Sequence, residues 1–340
     1  MHVLVSIVVA LVIVLAAAPE AQGVRDAMQQ DPACQSLRPA AAGGPLPTSA
    51  DTLVIRWLGH TNYELTYRGR VFLLDAYFDR LPRSHPIGVA PADMTIATAL
   101  FIGHPHFDHI ADAASVARRT GAAVVGAPYA AEVLSKAELP ARQFVPVKGG
   151  ETMQWPGVRV ETVLGHHNVI ASTVPEGFLD RQQAALQAAA LQTSYSEAEA
   201  ARAEAIRARG SRAPGIAKSG VINYLFTFDG RFRVLFADSP GPVTDAQRAA
   251  MRTLTGVDVA MLPYVNFEAG IPPLVELVRT FKPGTVFLGH HDGAGTMLWA
   301  SNYPPAYAIR RASPETRTLD VLYRTPVCFN TTTKDMVIGW

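Results

Sequence analysis

His104-Pro105-His106-Phe107-Asp108-His109 closes an apolar run over residues 97–102. It gathers three imidazoles and a carboxylate into six residues. Neutral imidazole combined with carboxylate suits zinc, iron or manganese. Alternate residues of an extended segment point the same way, so His104 and His106 can reach one metal. Residues 112–119 read as a helix, with Gly121 after it. A bend into that helix would aim Asp108 and His109 at a second metal. The bland alternative is a His-rich surface loop or a lone structural metal site, and the rest of the chain weighs against it.

Four more short apolar runs end in groups of the same kind. Upstream stands Phe72-Leu73-Leu74-Asp75. Downstream come Val163-Leu164-Gly165-His166-His167, then Val234-Leu235-Phe236-Ala237-Asp238-Ser239, then Val286-Phe287-Leu288-Gly289-His290-His291. Each alone has an ordinary reading. A strand-end Asp is usually a turn or cap, a His pair is usually half exposed, and Asp238-Ser239-Pro240-Gly241 is a common turn signal. Their order raises each of them. Taken together they resemble the motifs of the metallo-β-lactamase superfamily, over residues 51–340.

That resemblance implies an α/β fold, a four-layer αββα sandwich. It implies one metal held by His104, His106 and a histidine of the third motif. Both His166 and His167 are open there, with His167 favoured by its spacing from Gly165. A second metal would be held by Asp108, His109 and His290, with His291 as the alternative to His290. Asp238 would bridge the two metals, which makes Asp108 and Asp238 the catalytic carboxylates. Asp75 would accept a hydrogen bond from a ligand imidazole and fix its tautomer. His60, Tyr264 and the spare histidines are candidates to line the site or meet substrate, and a core or surface role is the alternative for each. The cofactors implied are two divalent ions, zinc first, with manganese or iron as alternatives.

The function implied is dinuclear metal-dependent hydrolysis, with a metal-bridging hydroxide attacking an ester, lactone or phosphodiester. No Ser or Cys nucleophile is needed. Two rivals share the fold: a di-iron oxidoreductase, and a non-catalytic metal- or ligand-binding protein. The opening Trp57-Leu58-Gly59-His60-Thr61-Asn62 and the run from Leu74 to Arg80 resemble the branch of ascorbate-6-phosphate lactonases and N-acyl-phosphatidylethanolamine phospholipases D. The chain departs from that branch at Ala76, where Pro is usual, and at His291, where Trp is common. His109 and Asp238 together point away from antibiotic hydrolysis.

Composition bounds the rest. Of 340 residues 49% are hydrophobic and 17% charged, enough for a large buried core. The formal net charge is +1 and no basic run appears, so nucleic acid is not an evident partner. A small-molecule or lipid-like substrate fits better, and the oligomeric state is open. Residues 3–18 are almost wholly apolar. That length suits a signal-peptide core better than a bilayer span. Residues 1–22 are therefore expected as a signal peptide, or an uncleaved membrane anchor, of an exported (periplasmic or extracellular) protein. Cys34 and Cys328 are the two cysteines; in an exported chain they could pair, or stay single.

Along the chain, residues 23–50 read as a flexible arm with an Ala/Gly/Pro-rich linker. Residues 51–340 read as the catalytic domain. It begins with a hairpin or meander over 52–74, and strands and helices alternate after it. Residues 178–210 are rich in Ala, Gln, Glu and Arg, which favours helix. They are expected as an inserted helical hairpin, its second helix opened by a Ser194-x-x-Glu197 capping box. Such an insertion would serve as a lid over the metals, or as a solvated excursion or dimer contact. Residues 219–238 read as two antiparallel strands turning at Asp229-Gly230.

Overall fold

The computed structural model describes residues 19–167, 195–211, 221–252, 254–265, 270–293 and 300–339. One sheet takes β1 (Thr52–Trp57), β2 (Tyr63–Tyr67), β3 (Arg70–Leu74), β4 (Ala99–Phe101), β5 (Ala123–Gly126) and β6 (Phe144–Pro146) in chain order. A second takes β7 (Thr152–Trp155), β8 (Val158–Gly165), β9 (Val221–Phe228), β10 (Phe232–Phe236), β11 (Val259–Pro263), β12 (Thr285–Gly289) and β13 (Arg317–Leu319). The chain then returns to the first sheet, where β14 (Pro326–Asn330) pairs with β1 and β15 (Met336–Ile338) forms the edge.

Alternation decides which face each side chain takes. On β3, Phe72 and Leu74 point between the sheets, while Val71 and Leu73 point outward. Phe226 of β9 meets Phe101 edge-on at 5.0 Å, and Phe228 meets Tyr67 at 5.0 Å. Both outer faces are apolar too, so both need covering. Helix Ala113–Thr120 buries Val116 and Ala117 on the first sheet, and helix Ile271–Phe281 buries Leu274, Leu277 and Val278 on the second. The result is the expected αββα sandwich. β3 to β6 run parallel, as do β10 to β13. Parallel neighbours end on the same side, so the strand-end motifs of each sheet gather along one rim.

Two expectations change. Residues 23–50 are not a loose arm. Helices Pro19–Gln30 and Pro32–Gln35 and a 3₁₀ turn at Ala40–Ala42 pack on the outer face of β1, β2 and β14, and the first helix runs through the boundary expected at residue 22. The cause is a buried ion pair. The Arg56 guanidinium lies 3.0 Å from the Glu64 carboxylate, and both are fully buried. Glu64 also accepts the N–H groups of Ala40 (3.0 Å) and Ala41 (2.7 Å), and Arg56 donates to the carbonyls of Ala33 (2.6 Å) and Ser36 (3.2 Å). Buried charge needs such partners, and the arm supplies them. Cys34 is disulfide-bonded to Cys328 of β14, which fastens the arm from the other side.

The helix Glu197–Arg207 is present, but its capping box is Ser196 with Glu199, one pair later than expected. Two Ser-x-x-Glu matches overlap in the sequence. Glu199 is the one that also chelates Arg83, at 2.9 and 2.7 Å, and that tertiary contact goes with the later start. The first half of the expected helical hairpin and Ser194 lie outside the described residues, as does the apolar run at 3–18. The helix packs directly on the metal-loop region. Ala203 and Ile206 are buried with Tyr77 and Ala111, and Phe107 packs against that cluster. Arg209 joins Asp79 (2.6 Å) to Asp112 (2.8 Å), and the Ser211 N–H donates to the Pro105 carbonyl at 2.7 Å. Among the described residues no helix is long and apolar enough to cross a membrane.

Candidate metal centre

Two groups of side chains meet on the rim. His104 and His106, off the end of β4, join His167, off the end of β8. His104 Nε2 lies 2.9 Å from His106 Nδ1, and the His167 ring is 4.8 and 4.9 Å from the other two. The second group is Asp108 and His109 from the short helix Phe107–Ile110, His290 off β12, and His60 off β1. Asp108 Oδ2 is 3.1 Å from His60 Nε2 and 3.6 Å from His290 Nε2, and Oδ1 is 3.9 Å from His109 Nε2. Asp238, off β10, touches one imidazole of each group. Its Oδ2 is 2.5 Å from His104 Nδ1 and 3.5 Å from His109 Nδ1.

The backbone is bent to allow this. His60, Asp75 and His290 all take positive φ, at 54°, 54° and 65°. Such conformations are costly for residues other than Gly and gather at functional sites. A side chain on Gly103 would put a Cβ 2.1 Å from the Asp238 carboxyl carbon, so only Gly lets the ligand loop and β10 approach so closely. A Cβ on Gly289 would sit 2.6 Å from the His60 carbonyl oxygen, which instead accepts the His290 N–H at 2.8 Å. The two histidine turns are thereby tied to each other.

Asp75 lies behind His109. Its Oδ2 accepts from His109 Nδ1 and from the Thr61 hydroxyl, both at 2.7 Å, and its Oδ1 accepts the Gly103 N–H at 3.1 Å. With Nδ1 carrying the proton, His109 Nε2 offers its lone pair toward Asp108. Burial, and then the neighbouring His104, hold the His109 pKa well below its usual value. Burial followed by His104 takes His106 down to about 4, and burial followed by His60 takes His290 to about 3. These imidazoles are neutral at pH 7, the form that binds metal. Burial, and then the Asp238 charge, push Asp75 well up.

The donor set fits cations. Two imidazole nitrogens on one tetrahedral zinc, each at about 2.0–2.1 Å, would stand roughly 3.3 Å apart, close to the 2.9 Å between His104 and His106. Asp238 Oδ1 is buried with no hydrogen-bond partner. A buried carboxylate oxygen left unpaired is costly, and a metal ion is a partner that would satisfy it.

The structure also separates the paired histidines. His167 joins the first group, whereas His166 turns its Nδ1 to the His167 carbonyl at 2.8 Å. His290 joins the second group, whereas His291 stacks on Trp57 at 4.7 Å with its Nε2 3.1 Å from the Asn302 amide. Tyr264 is buried after β11, its N–H donating to the Gly289 carbonyl at 2.8 Å. Four supporting residues escaped the sequence reading. Thr61 holds Asp75. Asp292, fully buried, accepts the His60 N–H (3.0 Å), Arg80 Nη1 (2.6 Å) and the Tyr323 hydroxyl (2.6 Å). A carboxylate directly after His290-His291 was a signal for Asp292. Thr61 and Arg80 stand in the runs that carry the branch resemblance, but nothing local marked their roles, and nothing local marked Tyr323.

Comparison with known proteins agrees with this fold. Residues 70–291 match the family model described as beta-lactamase superfamily domain. A metal-dependent hydrolase of Chloroflexus aurantiacus is 35% identical over 124 residues, 36% of this chain and 51% of the relative. The chain thus spans about half the length of the curated relatives it matches. Igni18, a metallo hydrolase of Ignicoccus hospitalis, superposes with a TM-score of 0.55 at 16% identity, covering 82% of this chain and 98% of that one. A variant of the CmlA β-hydroxylase superposes at 0.50 with 17% identity, covering 84% of this chain and 54% of that one. Hydrolases and a hydroxylase therefore share this sandwich, and the fold by itself does not choose the reaction. By its motifs, its sandwich and the match over residues 70–291, the chain belongs to the metallo-β-lactamase superfamily.

Proposed function

We propose that the protein is a dinuclear metal-dependent hydrolase of a small-molecule or lipid-like ester, lactone or phosphodiester. The observation that carries this is the pair of donor groups, His104–His106–His167 and Asp108–His109–His290, with Asp238 in contact with one imidazole of each. When bound, the metals supply Lewis acidity toward a carbonyl or phosphoryl oxygen and lower a water's pKa to about 7. The chain's residues hold that chemistry in place. Asp75 fixes the tautomer of His109. Asp238 touches an imidazole of each group through Oδ2 and has its buried Oδ1 without a hydrogen-bond partner, so its carboxylate would be available to a cation there. Asp108 faces three imidazoles and would neutralise part of a bound cation's charge. Zinc is the ion we favour for a site of neutral imidazoles and carboxylates.

We read the protein as exported. The apolar run at residues 3–18 supports this, and so does the Cys34–Cys328 disulfide, a bond that persists in oxidising compartments. The test of function is turnover of p-nitrophenyl phosphodiesters and of lactones by the protein as purified, after chelation, and after zinc return. Hydrolysis of at least one class, lost on chelation and restored by zinc, is expected. Hydrolysis that survives full metal removal would contradict the proposal.

A further inference from the structure

His60 is the one member of the second group that none of the five strand-end motifs supplies. It is wholly buried, its φ is 54°, and its Nε2 stands 3.1 Å from Asp108 Oδ2. Its other nitrogen, Nδ1, faces Asp292 Oδ1 at 3.7 Å, and both of those atoms are buried with no hydrogen-bond partner. Asp292 is itself fixed by the His60 N–H, Arg80 and Tyr323. The neutral tautomer that makes the Nδ1–Asp292 contact attractive carries its proton on Nδ1. The Nε2 lone pair then points at the Asp108 carboxylate, an arrangement that either a proton on Nε2 or a metal cation between the two would make attractive. The placement of Asp292 behind His60 parallels that of Asp75 behind His109, though at 3.7 Å rather than the 2.7 Å of that hydrogen bond.

We infer that His60 is an additional protein ligand of the second metal position, oriented by Asp292, and that this position holds its ion more tightly than the first. The inference rests on the dinuclear reading above and goes beyond it by ranking the two positions. The second group would enclose an ion with four side chains, His60, Asp108, His109 and His290. The first has three histidines; each group has two half-exposed members, His106 and His167 in the first and Asp108 and His290 in the second, so the number of donors is what distinguishes the positions. Asp238 touches one imidazole of each group, so the second position would have one more protein donor than the first, and fewer positions left open to water or substrate favour a retained ion.

The test is competition for zinc between the full-length protein and a chromophoric chelator, with cobalt absorption spectra as a second readout. Wild type is expected to bind two equivalents in two resolved steps. His60→Asn keeps a residue tolerant of positive φ and should weaken the tighter step by at least about tenfold while leaving the weaker step in place. Asp292→Asn should weaken the same step by about 10–100-fold, and His167→Asn should remove only the weaker one. The cobalt spectrum of the first equivalent should change in His60→Asn and not in His167→Asn. A folded His60→Asn whose tight step and cobalt spectrum match wild type would overturn the inference and leave the dinuclear reading intact. A wild type that binds a single equivalent would overturn both.

Discussion

Replacing Asp75 by Asn isolates what a carboxylate behind a ligand contributes. Asp75 receives three hydrogen bonds, from His109 Nδ1, Thr61 and the Gly103 N–H. An amide has one acceptor oxygen where the carboxylate has two. If the amide nitrogen faces His109, the imidazole must turn its Nδ1 lone pair toward it, and its proton moves to Nε2, the atom that faces Asp108. If it faces Gly103 instead, two donors meet at the residue that leads into His104. Either way one ligand loses its anchor. The φ of 54° suits Asn as well as Asp, so the backbone need not change. Loss of such support typically costs 10–100-fold in metal affinity, or about 1.4–2.7 kcal/mol. Chelator competition on wild type and Asp75→Asn reads this directly, with far-UV circular dichroism to confirm the fold. Asp75→Ala would do more. It leaves buried donors unpartnered at about 1–3 kcal/mol each and adds strain at positive φ, so its melting temperature should fall as well. Metal affinity in folded Asp75→Asn within twofold of wild type would refute the reasoning.

Three further outcomes follow from the packing and the charges. Glu64→Ala strands the buried Arg56 guanidinium and frees the Ala40 and Ala41 N–H groups, so urea unfolding should show a loss of about 3–5 kcal/mol; a loss below about 1 kcal/mol would mean that the arm is not held there. Cys34→Ser opens a cross-link of sequence separation 294, for which chain entropy predicts a loss on the order of 5 kcal/mol; a thermal midpoint that is unmoved by the substitution, and unmoved by reductant in wild type, would contradict it. The metal-stripped protein should lose stability on acidification. His106 and His290 titrate in the fold at about 4 and about 3 against 6.5 for free histidine, so the unfolded chain binds more protons across that interval. Their contribution is complete above pH 6.5 and drains as pH falls toward 4 and 3, by up to about 1.4 kcal/mol per group per pH unit. A urea midpoint that stays flat between pH 7 and pH 4.5 would contradict this.

What could be read from the sequence was whatever is local along the chain. The candidate site residues stand at or shortly after the ends of apolar runs, so Asp75, His104, His106, Asp108, His109, Asp238 and the two histidine pairs were all visible, whereas the sandwich was implied by the resemblance, since periodicity shows only mixed α and β. Choosing within the pairs needed tertiary facts, namely that Trp57 and Asn302 engage His291 and that His166 turns to the next carbonyl. The arm was misread because its Ala, Gly and Pro content is what a linker also shows. What orders it, the Arg56–Glu64 pair, lies in another segment. His60 was legible only as a candidate to line the site or meet substrate, with a core or surface role as the alternative, since Asp292, which accepts its N–H, is 232 positions away.

The most direct test of the account is metal content per chain, by elemental analysis of protein purified without chelators and of the Asp238→Ala variant. The account predicts about two zinc ions per wild-type chain, with content and hydrolysis falling together in the variant. One ion or none after zinc loading, or two that persist in Asp238→Ala with hydrolysis intact, would contradict it; iron without hydrolysis would point to oxidative chemistry on the same fold.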